Sequence, residues 1–499
     1  MAGKQLMSRF RAALKSSGAV VKTGVGGTGS LHGNYSLVRF AKEFHSEYNN
    51  ADDERREDIL VNLARTHEIT ALSDIQEFIN ENQKSIHETL INMNYFNFED
   101  DEARNILISR WIHGHIQPMY IPLFRALVHL HDGIRFLVSL REDVLKLLES
   151  SSPSEEPNDL LRLRLLDECL KDILAVCFST GLLRVQKVTW ASSCQLLEKV
   201  AFNEAVHQVR SWADLKQRVG PNRRVFVFQH PNMGDDPLVI LNVALMPEIC
   251  NSMQEVLWRY MSPRQGPTVD APIEDSSKIH AAIFYSISSV HKGLHRIDLG
   301  HSLIQSVVKL LRQELPHLDQ FSSLSPIPGF RNWLLRLLLS SRQTDKERVS
   351  NILTSIKSEW QSNVQKVLSA HHEGKGISHD GFHSAVTDFL LEMIKSKTWV
   401  HQPTVVNAIK PVLMRFVGEY LYHEKHRAYA LDYVANFHLR NGAVLWRICW
   451  MADPSSQGLT QSCGMMVNYR YYTDDTDTNS ENYLHNGHIK IDEQVRPWI

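Results

Sequence analysis

AAIFYSIS (281–288), HKGLHRIDLG (291–300) and HSLIQSVVKLLRQEL (301–315) form the stretch on which the fold turns. The first string is rich in β-branched and aromatic residues, which predicts a buried strand. The last places Leu303, Val307, Leu310 and Leu311 on one side of an amphipathic helix running from His301 to Leu315. Working outward, Val185 to Trp190, Val225 to Phe228 and Leu238 to Ala244 predict strands. The last two flank the turn Pro231 to Pro237 and read as a hairpin. Downstream come a short strand (Phe321 to Leu324), a helix (Arg331 to Ser341), a mostly helical stretch (346–430) and strands at Ala443 to Trp450 and Val467 to Tyr472. This order predicts a mixed α/β domain over 184–499.

The preceding part has the helical period instead. Ile75, Phe78 and Ile79 open a stripe that Ile86, Leu90 and Ile91 continue, and Leu123, Leu127, Leu130, Ile134, Leu137, Val138, Val144 and Leu147 repeat it. SSSPSEEPND (150–159) interrupts it, and an apolar stripe resumes over Leu160 to Leu174. A helical bundle domain over 35–183 is the expectation. Residues 1–33 read as a disordered leader. Lys4, Arg9, Arg11, Lys15 and Lys22 all precede the first acidic residue, Glu43, which is the composition of a mitochondrial transit peptide. A plain disordered basic tail is the alternative. Gly24 to Gly29 matches GxGxxG, but no strand and helix flank it, so it is a decoy.

Bulk composition excludes several classes. The 499 residues are 43% hydrophobic and 22% charged with a formal net charge of -2, so no global field recruits nucleic acid or an anionic membrane. No apolar run approaches the ~18 residues that span a bilayer. The six cysteines form no CxxC pair, which predicts reduced thiols and neither a zinc site nor a disulfide framework. The chain ends Arg496-Pro497-Trp498-Ile499, which is not an SKL-type peroxisomal address.

Three segments have the residue types that chemistry needs. The loop between strand and helix at 291–301 points free N–H groups outward, and Lys292, His295 and Arg296 add cationic donors, an arrangement suited to a pyrophosphate. An ordinary connection is the bland alternative. In FSSLSPIPGF (321–330) two prolines and a glycine follow a strand directly and aim the Ser325 hydroxyl, unless the segment is only a structural turn. No GxSxG surrounds Ser325, which argues against a hydrolase. NFHLRNG (436–442) contains His438, whose side-chain type suits proton transfer near neutrality, although most of the 25 histidines must be surface or packing residues. His113, His115, His371 and His372 lack a third partner at metal-ligand spacing, so no metal site is expected. DTDTNS (475–480) superficially opens a calcium loop, but Ser480 and Asn486 stand where Gly and Glu are needed, and a solvated loop is expected.

At these segments the chain resembles malonyl-CoA decarboxylases. The strings that carry the likeness are AAIFYSIS, FSSLSPIPGF, YLYHEKHRAYAL (420–431), VANFHLRNGAVLWRICWMAD (434–453) and CGMMVNYRYY (463–472), with KVTW (187–190), EAVH (204–207) and RVGPNRR (218–224). The resemblance spans roughly residues 90 to 495 in unbroken order. It implies a helical oligomerisation domain, a GNAT-type acyl-CoA-binding catalytic domain, and a homotetramer built as a dimer of dimers. It implies decarboxylation of malonyl-CoA to acetyl-CoA and CO2 in fatty acid metabolism, with no metal or organic cofactor, because the thioester itself takes up the electrons. The site residues it implies are Ser325 and His438 for catalysis, and His295, Arg296, Ile297, Asp298, Leu299, Gly300 and His301 for the acyl-CoA loop. Ser286 falls in the active-site strand, with Lys199 and Tyr471 in support. Asn436 and Asn441 join them by proximity to His438. HRIDLGH (295–301) keeps only Gly300 of the glycine-rich GNAT phosphate loop. The mitochondrial matrix is the expected compartment, with cytoplasm and peroxisome as alternatives. An acetyltransferase and a non-enzymatic helical scaffold are the competing readings.

Overall fold

A computed structural model of the chain describes residues 2–17, 31–66, 118, 120–150, 157–178, 180–204, 207–258, 274–297, 299, 303–342, 344–356, 358–371 and 382–499. The stripes over 75–91, the glycine string 24–29 and His113, His115 and His372 lie outside these residues. Two compact units divide the chain. The first is 1–184 together with 229–238 and 289–298. The second is 185–228, 239–288 and 299–499.

The first unit contains the helices Ala2–Ser17, Leu31–Asn49, Asp53–Arg65, Tyr120–Val128, Gly133–Ser150 and Pro157–Cys177. The expectation of disorder before residue 33 is corrected over its first half. Leu6, Phe10 and Leu14 repeat every four residues, and with Met7 they are buried. Phe10 stacks on Phe40 at 5.2 Å between ring centroids. A basic composition therefore conceals an amphipathic helix whose apolar face is covered. Elsewhere helix ends follow their capping residues: Asp52 accepts from the Arg55 amide at 2.9 Å to start Asp53–Arg65.

The second unit is organised on a sheet with strands β1 (Arg184–Val188), β2 (Arg223–Gln229), β3 (Pro237–Met246), β4 (Ala281–Ser289), β5 (Gln320–Ser323), β6 (Ser325–Pro326), β9 (Val444–Cys449) and β10 (Met466–Tyr471), while β7 (Lys425–His426) and β8 (Tyr429–Ala430) form a separate pair. The order is β1-β2-β3-β4-β5-β10-β6, with β9 on β10. β4 and β5 run parallel, Phe284 opposite Ser323. Such a pair needs a crossover, and the helix Leu303–Glu314 supplies it. β10 lies antiparallel to β5, β6 and β9. Period-two alternation then sorts the faces. Ile283, Tyr285, Leu324, Met246 and Met466 bury themselves in one apolar cluster. Phe284, Ser286, Ser323 and Tyr471 are buried too, but outside that cluster.

The strands expected from sequence appear within one to two residues of their predicted ends. The expected solvated loop at 475–486 does not: Thr476–Asn486 is a helix. Its sequence is polar almost throughout, so periodicity gives no signal, yet Thr476, Ser480 and Tyr483 are buried. Gly442 (φ +76°) makes the packing feasible, since a Cβ there would sit 1.9 Å from the Thr476 carbonyl oxygen. Among the described residues no helix is long and apolar enough to cross a membrane.

Candidate active site

Ser325 is placed by its backbone before any side chain acts. The chain leaves β5 at Ser323, re-enters the sheet as β6 with Ser325 opposite Val467, and turns through Pro326, Pro328 and Gly329 into the helix Phe330–Ser340. The two prolines fix φ on the C-terminal side of Ser325 and restrain its backbone. Ser325 Oγ lies 2.8 Å from Ser323 Oγ and 2.7 Å from His438 Nε2. Ser323 Oγ also accepts the Tyr469 amide at 3.3 Å.

His438 comes from the helix Tyr433–Arg440. Asp432 caps that helix, accepting from the Ala435 amide at 2.8 Å. The same carboxyl accepts from the Gly329 amide, joining the end of the Ser325 turn to the start of the His438 helix. Burial pushes the Asp432 carboxyl up to about 6. The His438 ring stacks on Tyr469 at 4.6 Å with 16° between planes, and its Nδ1 lies 2.6 Å from the Tyr471 hydroxyl. Burial lowers the imidazole to about 3 and holds the Tyr471 phenol well above its usual value. At neutral pH the ring is neutral and the phenol protonated.

These contacts form one chain: Tyr471, His438, Ser325, Ser323. Two proton arrangements satisfy it. In one, Tyr471 donates to Nδ1, Nε2–H donates to Ser325, and Ser325 donates to Ser323. In the other, Nδ1–H donates to Tyr471 and Ser325 donates to Nε2. They differ in which ring nitrogen carries the proton, and passing from the first to the second needs one proton to enter at Tyr471 and one to leave at the serine end. The structure thus unites Ser325, His438 and Tyr471. It does not bring Asn436 or Asn441 to the imidazole, whose two nitrogens are already occupied. Asn436 Oδ1 accepts from Tyr483 at 2.9 Å, and Asn441 Nδ2 donates to the Phe437 carbonyl at 2.8 Å. Lys199 lies on the helix Cys194–Phe202 and is likewise not a partner of the ring.

Ser286, on β4, donates to buried Glu204 Oε1 at 2.6 Å, and Asn242 donates to Glu204 Oε2 at 2.6 Å. Of the loop residues expected to hold acyl-CoA, His295 and Arg296 are exposed, Ile297 is half-buried and Leu299 is buried. Asp298, Gly300 and His301 lie outside the described residues. Sequence reasoning missed Ser323, Tyr469, Asp432 and Glu204. For the first two a signal existed: Tyr469 stands two residues from Tyr471 on β10, hence on the same face, and Ser323 stands two residues from Ser325 at the end of the preceding strand.

The malonyl-CoA decarboxylase N-terminal domain matches residues 89–178, and the C-terminal domain of the same family matches 181–499. The chain belongs to the malonyl-CoA decarboxylase family. It is a decarboxylase. The mitochondrial malonyl-CoA decarboxylase of Anser anser anser is 43% identical over 385 residues, covering 77% of this chain and 70% of that protein. That of Rattus norvegicus is 43% identical over 378 residues, covering 76% and 70%. The crystal structure of malonyl-CoA decarboxylase from Rhodopseudomonas palustris superposes with a TM-score of 0.73 at 26% identity, covering 99% of each chain. The Cupriavidus metallidurans structure gives 0.67 at 25% identity, covering 100% of each.

Family membership makes the lowered His438 pKa testable. An ordinary histidine would change charge near pH 6.5 and give the decarboxylase an ionisation limb there. His438, lowered to about 3, stays neutral. The expected kcat profile is therefore flat over roughly pH 5 to 8 with respect to this group. A limb near 6.5 that disappears in His438→Gln would refute the assignment.

Proposed function

We propose that Ser325 and His438 decarboxylate malonyl-CoA to acetyl-CoA and CO2, with Tyr471 fixing the imidazole. The observation that carries this is the buried Ser325–His438–Tyr471 chain. Ser325 turns its proton from Ser323 to the malonyl carboxylate and orients it. The Cα–CO2 bond breaks, its electron pair passes into the thioester as an enolate, and CO2 leaves. His438 Nε2–H then protonates Cα, and the ring regains a proton from solvent. The net change is malonyl-CoA plus one proton to acetyl-CoA plus CO2. A neutral imidazole is a competent donor here because an enolate carbon is a strong base.

The site is also suited in what it offers the carboxylate. The side-chain partners of Ser325 and His438 are hydroxyls and an aromatic face, with no cation among them. A cation would stabilise the ground-state carboxylate, whose charge the transition state disperses toward the thioester. Preorganised donors for that oxyanion are often worth ~3–4 kcal/mol each. The electron sink lies in the substrate, so no cofactor enters this scheme.

The remaining parts of the reading follow the family resemblance. The acyl-CoA loop is 295–301, and Ser286 lies in the strand leading to it. Lys199 supports the site. The catalytic domain is GNAT-type, and the helical domain assembles a tetramer. The setting is fatty acid metabolism in the mitochondrial matrix, and the two animal relatives are named mitochondrial. The test is incubation of the purified protein with malonyl-CoA in D2O, followed by mass spectrometry. Acetyl-CoA carrying one added deuteron is expected. Free CoA in place of acetyl-CoA would instead indicate acyl transfer, and no product would remove the proposal.

A further inference from the structure

Residues 291–297, which open the loop proposed to hold acyl-CoA, belong to the helical unit, and one buried side chain there sets their course. Arg141, on the helix Gly133–Ser150, is 1% exposed. Its Nε donates to Asp167 Oδ1 at 2.7 Å. Its Nη1 donates to the Gly293 carbonyl at 2.6 Å and to the His295 carbonyl at 2.9 Å. The neighbouring Glu142 accepts from the Gly293 amide at 3.2 Å. Gly293 itself lies against the helix backbone, where a Cβ would be 2.0 Å from the Val138 carbonyl oxygen.

The residue that follows this clamp is strained. Arg296 has φ +63°, a left-handed backbone that a long side chain rarely adopts. Such a residue persists only when its surroundings over-determine it. Two carbonyls committed to one guanidinium, on either side of Leu294, supply that constraint, since charge-assisted bonds are the stronger kind. Lys292, His295 and Arg296 are all exposed. Arg296 forms no ion pair among the described residues. The structure therefore spends a buried cation on holding the loop and leaves the exposed cations for an anion.

We propose that Arg141 is a positioning residue for CoA: it holds 291–297 so that Arg296, with Lys292, meets the phosphates of the nucleotide. This rests on the acyl-CoA reading given above.

Full-length Arg141→Lys and Gly293→Ala are compared with wild type on malonyl-CoA and on malonyl-pantetheine, which lacks the nucleotide and its phosphates. Lysine keeps the charge but loses the planar fork that ties Asp167 to the two carbonyls. Alanine at 293 lifts the loop away from the Arg141 guanidinium while leaving the Arg141 side chain itself unchanged. In either variant KM for malonyl-CoA is expected to rise about tenfold or more, with kcat held within about twofold and malonyl-pantetheine turnover unaffected. Equal losses on both substrates would mark Arg141 as purely structural and overturn the proposal, as would unchanged KM in both variants. Failure of the wild type on malonyl-CoA would instead defeat the decarboxylase mechanism on which the proposal stands.

Discussion

Replacing His438 with alanine is expected to lower kcat by about 10³-fold or more while leaving acetyl-CoA binding intact. Loss of a general acid alone typically accounts for ~10²–10⁴. Removing this ring does further damage to the chain, because Ser325 and Tyr471 both lose the group that lies between them. The Ser325 hydroxyl is then free to turn wholly toward Ser323 and no longer has a neighbour that returns its proton. Binding is a separate matter, since the nucleotide end of CoA is proposed to lie at the loop 295–301. The measurement is acetyl-CoA formation by mass spectrometry under single-turnover conditions, with calorimetric titration of acetyl-CoA alongside. His438→Gln guards against loss of folding, because a glutamine fills more of the space beneath Tyr469. Turnover equal to wild type in either variant would remove His438 from the mechanism.

Much of this site could be read from the sequence, and the limits of that reading have physical reasons. Ser325 was legible because Pro326, Pro328 and Gly329 fix backbone geometry locally, and local restraints appear in sequence as residue identity. The β4–loop–helix order was legible because β-branched runs and helical stripes are periodic. The N-terminal helix was not, because its charged positions dominate the composition while Leu6, Phe10 and Leu14 determine the structure. The helix Thr476–Asn486 stayed hidden for a related reason. It buries hydroxyls and one tyrosine, and Tyr483 bonds both the Ala430 amide and Asn436. Partners far apart in the chain leave no mark on spacing. Asn436 and Asn441 lie close to His438 in sequence, yet the imidazole takes its contacts from Ser325 and Tyr471, which are 113 and 33 positions away. Arg141 and its carbonyl partners at 293 and 295 are separated even further.

Asp432 unites these themes, and Asp432→Ala is the second substitution expected to have a large effect. One buried carboxyl caps the His438 helix through the Ala435 and Val434 amides, accepts from Gly329 at the end of the Ser325 turn, and lies 3.5 Å from the Tyr420 hydroxyl. Alanine abandons all of these donors at once in a buried site. Loss of a cap plus stranded buried donors is expected to cost about 2–4 kcal/mol of stability. It also uncouples the two segments that deliver the hydroxyl and imidazole proposed to be catalytic, so kcat should fall even at temperatures where the fold survives. Asparagine separates the causes. It caps helices as well as aspartate does, and it carries no charge to bury. The pH dependence fixes the sign. Burial raises the folded pKa from 3.8 to about 6, so the folded state holds a proton that the unfolded chain has lost. The stabilisation from that proton is fully present below the unfolded value and is lost as pH rises through about 6. Chemical denaturation of wild type between pH 4 and 7 should show this decline, superimposed on contributions from other groups, and the difference between wild type and Asp432→Asn should isolate it. A difference that is constant across that range would mean that Asp432 is ionised in the folded protein and that its capping role is an ordinary charged one.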